Sequence, residues 1–116
     1  MSEAITLLVE SRILEGQRAE LEALLVEVAT HVAANEPGNE AYDWYCSSDD
    51  RCVVIERYAD SEAVLAHVAG YQKFVPRLDA CREQQRIAVL GKPEGALAQV
   101  AEARGFEVYD TRIGKE

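Results

Sequence analysis

The side chains equipped for chemistry gather between Glu36 and Tyr71, a stretch holding one of two histidines, the single tryptophan and four of five tyrosines. An imidazole titrates near neutrality, so His67 suits general-base work once a carboxylate orients it. It follows Ala63 and Val64 by about one helical turn and precedes Tyr71 by one, a spacing that turns it inward. Glu56 shares strand parity with Val54 and Tyr58. If that parity faces the helices, Glu56 is a partly buried carboxylate in need of a partner, and an arginine, His67 or a tyrosine hydroxyl would serve. Tyr42, Trp44, Tyr58 and Tyr71 offer flat walls for an aromatic ligand, with phenolic groups to fix its oxygens. Ser11, near the end of the first strand, is a weaker addition to the same surface. Plainer readings compete for each. His67 could be a core histidine bonded to Glu56 or to a backbone carbonyl, the aromatics ordinary core, and Ser11 a solvated strand end. His31 lies beside the Leu24 and Val28 stripe without a second ligand at metal spacing, so it reads as a boundary residue. No serine sits on a nucleophile elbow, and the sequence carries neither a phosphate-cradling glycine loop nor a dinucleotide fingerprint.

Composition narrows the function classes. The formal net charge of −9 repels phosphate backbones and anionic lipid heads, so neither nucleic acid nor a membrane surface is an expected partner. Cys46, Cys52 and Cys81 form an odd set without CxxC spacing, which argues against a disulfide scaffold and against a zinc site; no metal is expected. Cys46 and Cys52 could still face each other across a hairpin. The apolar run from Ile5 to Val9 is too short for a signal or a membrane span, and a cytoplasmic protein is the expectation. At this length one domain spanning residues 1–116 can bury roughly two thirds of its unfolded surface.

The elements that must position these groups follow from periodicity. Ala4 to Ile13 alternates around Ile5, Leu7 and Val9 and reads as a strand. From Gln17, Leu21, Leu24, Leu25, Val28 and Val32 recur at helical spacing, and Pro37-Gly38 stops the helix, with Gly38 free to take positive φ. Strands over 40–47 and 51–58 flank a tight turn at Ser48-Asp49-Asp50. Asp60 caps a helix through Ala69, which Gly70 interrupts, and a second helical piece spans 72–82. A strand over 85–90, a short helix ending at Arg104-Gly105 and a fifth strand over 106–111 complete the chain. The order βαββαβ with an appended αβ predicts an α+β, ferredoxin-like split-βαβ sheet with its helices on one face. Leu7 and Leu8, Val53 and Val54, Val89 and Leu90 are apolar on both parities. A second copy is the simplest cover for the bare face, which predicts a homodimer with the fifth strand lying on its partner.

With that fold in place, Glu36-Pro37-Gly38, Tyr42, Glu56-Arg57-Tyr58, Asp60-Ser61-Glu62-Ala63 and Ala66-His67 together resemble the antibiotic biosynthesis monooxygenase family of small dimeric α/β-barrel proteins. The resemblance covers about Ala4 to Leu90 and leaves the tail outside. It implies a cofactor-free oxygenase acting on a small hydroxy-aromatic or quinol-type substrate, with His67, Glu56 and Tyr58 catalytic and Tyr42, Trp44, Tyr71 and Ser11 binding the substrate. In the haem-degrading branch an Asn, a Trp and a helical His form the site; the corresponding positions here hold Ser11, Tyr58 and a residue near Arg77, so no haem is implied. Other readings of the same fold are a non-catalytic dimer that binds a small molecule and a non-redox isomerase.

Overall fold

Along β1 (Ile5–Ile13) every second residue, Ile5, Leu7, Val9, Ser11 and Ile13, is buried, the period-two signature of a strand with one face on the core. In the computed structural model, which describes residues 3–115, this strand is the centre of the sheet. The sheet order is β2-β3-β1-β4-β5, with β2 over Asn39–Cys46, β3 over Arg51–Tyr58, β4 over Arg82–Leu90 and β5 over Glu107–Tyr109. The first four strands pair antiparallel, as a split-βαβ topology requires.

Helix α1 (Arg18–Asn35) buries Leu21, Leu24, Leu25, Val28 and Val32 along one stripe and ends before Pro37. In α2 (Ser61–Tyr71) the Asp60 side chain accepts the Ala63 N–H at 2.8 Å, the expected N-cap. Gly70 does not interrupt this helix. A Cβ there would stand 3.8 Å from the His31 ring and 3.9 Å from the Glu36 carboxylate, ordinary contact distances, so the end of α1 packs directly against this point of α2. The break falls two residues later, at a 3-10 turn over Gln72–Phe74. Helix α3 (Val75–Cys81) follows, with Pro76 in its first turn, where a missing N–H costs nothing.

Strand β4 starts three residues before the expected 85. A bulge shifts its register between Glu10 and Ser11 on β1, which lets Gln84, Glu83 and Arg82 stay paired although their polarity hides the strand. Gly38 also differs from expectation. It takes no positive φ; a Cβ there would meet the Ala63 Cβ at 2.6 Å, so close approach of β2 to α2 is what requires glycine. The tail closes with α4 (Ala96–Arg104) and Gly105 in the left-handed region at φ 69°. β5 is shorter than the expected 106–111 and pairs parallel with β4 of its own chain.

The helices cover one face in two packed groups. One joins Leu21, Leu24, Val28 and Val32 to Phe74, Leu78 and Cys81; the other joins Ile5, Leu7, Tyr58 and Val89 to Val64 and Leu97. On the opposite face Leu8, Val53 and Ile55 are half-buried and Tyr45 and Leu90 exposed. Among the described residues no helix is long and apolar enough to cross a membrane.

Candidate active site

His67 lies where those two groups meet. Tyr58 belongs to one and Tyr42 and Tyr71 pack against the other, and all three rings contact the imidazole. Tyr71 stacks on it, with centroids 5.0 Å apart and planes inclined by 13°; Tyr42 and Tyr58 approach to 5.5 Å. The helical spacing that turns His67 inward is realised, and the residue is 3 % exposed.

Its polar partners come from two separate elements. Nδ1 lies 2.9 Å and 3.0 Å from the two carboxylate oxygens of Glu36, the residue that ends α1. Nε2 lies 3.5 Å from Glu56 Oε1, and the Tyr58 hydroxyl donates to that same oxygen at 2.7 Å. The structure thus brings His67, Glu56 and Tyr58 together. It makes Glu36 the closer acid, which a reading confined to strand parity had passed over. A buried imidazole needs a partner for each nitrogen, and the acid just before Pro37-Gly38 was the available signal.

Burial sets the charge balance. It pushes the Glu56 carboxyl up from its ordinary value, against the opposing pull of His67 and the Tyr58 hydrogen bond. It raises Glu36 as well, with the neighbouring His31 opposing. The same desolvation lowers His67, with Glu56 opposing, and raises the Tyr42 and Tyr58 phenols. The imidazole therefore favours its neutral form. In the tautomer that donates Nδ1–H to Glu36, Nε2 keeps its lone pair, as a general base requires.

Ser11 and Trp44 take part in a second arrangement, a short distance along the same interior. Ser11 is buried, not solvated, and accepts a hydrogen bond from Arg82 Nη1 at 2.6 Å. The Arg82 guanidinium stacks 5.6 Å from the centre of the Trp44 ring, and Trp44 meets Tyr42 edge to face at 6.2 Å. The Trp44 N–H is close enough to Tyr42 to favour its phenolate, yet no hydrogen bond of normal geometry closes between them. Arg82, expected to end a helix, instead opens β4 with its side chain toward the helices, and it too escaped sequence reasoning.

Two cavities are described. One, of about 410 Å³, lies by the β2–β3 hairpin and is lined by Ser11, Glu10, Tyr45 and Cys52 among others; the second, of about 490 Å³, lies on the α1–α3 surface around His31 and Phe74. Neither is lined by His67, Glu56 or Tyr58, so the imidazole is enclosed by its tyrosines. We place the site at the side-chain cluster because the convergent titratable groups are there, while the first cavity is lined mainly by residues of the opposite sheet face, Glu10, Tyr45 and Val53 among them. Cys46 and Cys52 do face each other in register and are free thiols.

Comparison with known proteins bears on the fold and the family. MupZ from Pseudomonas fluorescens superposes with a TM-score of 0.88 at 15% identity, covering 98% of this chain and 94% of that one, tail included. SnoaB, a cofactor-independent oxygenase from Streptomyces nogalater, gives 0.68 at 18% identity over 81% and 97% of the two chains. Rv0793 from Mycobacterium tuberculosis gives 0.67 at 23% identity over 81% and 99%. These likenesses are of fold. No curated protein matches the chain. The family model described as antibiotic biosynthesis monooxygenase matches residues 4–77, well over half the length, and ends within the core expected from the residue pattern. The chain belongs to the antibiotic biosynthesis monooxygenase family.

Proposed function

We propose that this protein is a cofactor-independent monooxygenase that oxidises a small hydroxy-aromatic or quinol-type substrate, with His67 as base. The observation that carries this is the buried imidazole, kept neutral by desolvation and held between Glu36 and Glu56 inside a wall of tyrosines. Dioxygen reacts slowly with closed-shell organics, so the substrate must first be made electron-rich. Removal of a phenolic proton by His67 does so, because the anion gives up an electron far more readily. Glu56 receives the charge that develops on the imidazole, and the Tyr58 hydroxyl holds that carboxylate in place. One oxygen atom then enters at a ring carbon, and the other leaves as water with two of the substrate's hydrogens. The substrate supplies all the electrons.

Tyr42 and Tyr71 are half-buried where Tyr58 is fully enclosed, so the approach to His67 lies between those two rings. The SnoaB likeness is compatible with this chemistry. A second reading, favoured by the enclosure of the imidazole, is a dimer that binds such a ligand without turning it over, or a non-redox isomerase. Oxygen uptake with a panel of hydroquinones separates these, since binding or isomerisation consumes no oxygen. His67→Ala should lower the rate by roughly two to four powers of ten, and unchanged turnover would remove His67 as the base. On the opposite face of the sheet, the apolar strip around Leu8, Val53 and Ile55 supports a homodimer packed sheet to sheet, a point decided by the oligomeric state.

A further inference from the structure

From the geometry we infer that Arg82 and Trp44 form an anion-recognition subsite, which selects hydroxy-aromatic substrates bearing a carboxylate at the end remote from His67. This rests on the aromatic-substrate reading above and narrows it. Arg82 is 5 % exposed, and its Nη1 meets only neutral acceptors, Ser11 Oγ at 2.6 Å and Gln84 Oε1 at 3.3 Å. Among the described residues no carboxylate forms an ion pair with it, and its Nε has no hydrogen-bond partner. A desolvated guanidinium without a paired anion is costly to keep. The neighbouring Trp44 Nε1 is likewise buried without a partner. Two adjacent desolvated donors, one of them charged, call for an anionic oxygen, and a carboxylate matches the forked guanidinium geometry.

The surroundings give such a ligand an aromatic lining. Tyr42, Trp44 and Tyr71, on the helix-covered side of the sheet with Arg82, are only half-buried. From the guanidinium the aromatic wall runs through Trp44 and Tyr42 to His67, each ring in contact with the next. A ligand ring lying against that wall would offer its carboxylate to Arg82.

The test compares hydroquinone with its carboxylated analogue 2,5-dihydroxybenzoate, each titrated against the whole protein at pH 7 and followed by quenching of Trp44, the chain's single tryptophan. Wild type should bind the carboxylate about 10- to 100-fold more tightly, the range expected for a hydrogen bond to a charged group. Arg82→Gln should erase that preference while leaving hydroquinone affinity unchanged, and Arg82→Lys should restore part of it. Equal affinity for the two probes in wild type overturns the inference whether or not either variant folds; a preference that survives in Arg82→Gln overturns it too. Oxygen uptake in the same samples keeps the two ideas apart. A carboxylate preference lost in Arg82→Gln, with no uptake from either probe, upholds the subsite and ends the oxygenase reading. Uptake from hydroquinone without any preference ends the subsite alone.

Discussion

Removal of the Glu36 side chain is the most direct way to ask whether the imidazole is held as described. Both partners are enclosed, His67 at 4 % and Glu36 at 8 % side-chain exposure, and Nδ1 is within 3.0 Å of both carboxylate oxygens. A hydrogen bond to a charged group contributes about 1.5–3 kcal/mol, and an abandoned buried donor costs about 1–3 kcal/mol. Against this, Glu36→Ala releases a carboxylate that burial itself penalises, so a net loss of about 2 kcal/mol is expected. In a domain of this size that lowers Tm by roughly 8 °C. Glu36→Gln keeps an acceptor oxygen and should lose only about 1 kcal/mol. The decisive measurement is a double-mutant cycle by urea unfolding, with Glu36→Ala, His67→Ala and the pair combined. Once the imidazole is gone, removing Glu36 orphans nothing, so the double variant should be about 1.5–3 kcal/mol more stable than the two losses summed. Losses that add to within about 0.5 kcal/mol would mean that the contact does not hold the histidine, and the account of its tautomer would go with it.

Two further outcomes follow from the same physics. Burial holds the Glu56 carboxyl above its ordinary value in the folded state, so its contribution to stability is complete below the unfolded pKa of about 4.5 and is lost as pH rises through the folded one. Glu56→Gln keeps an acceptor for Tyr58 but cannot ionise; its unfolding free energy should gain on wild type as pH rises above about 4.5, and parallel curves would show the carboxyl to be unperturbed. His67, displaced downward, loses its contribution only as pH falls below about 6.5, so a gain persisting above pH 7 belongs to Glu56. For the sheet face, sedimentation should give a dimer at micromolar concentration and a monomer for Ile55→Glu; a wild-type monomer would remove the homodimer.

The strands and the first helix were legible because their burial is periodic: Ile5, Leu7 and Val9 alternate, and Leu21, Leu24, Val28 and Val32 recur by turns. The inward aim of His67 was legible for the same reason. Glu36 was hidden because it belongs to no periodic element. It ends α1, and only the fold brings its carboxylate back onto α2. Arg82 was hidden by the bulge, which displaces the alternation of β4 and makes a core-facing arginine look like the polar end of a helix. Gly38 shows a third way to miss. The residue type was read correctly as special, but its reason, the nearness of Ala63, is a tertiary distance that no local pattern encodes.

The short β5 has a bearing on solubility. By pairing with β4 it occupies one lateral border of the sheet with only three residues and then leads off as coil, too little backbone for another chain to lengthen. The opposite border, β2, bears the exposed acids Glu40 and Asp43. Side-by-side growth into fibrils is thus discouraged at both margins, by brevity at one and by charge at the other.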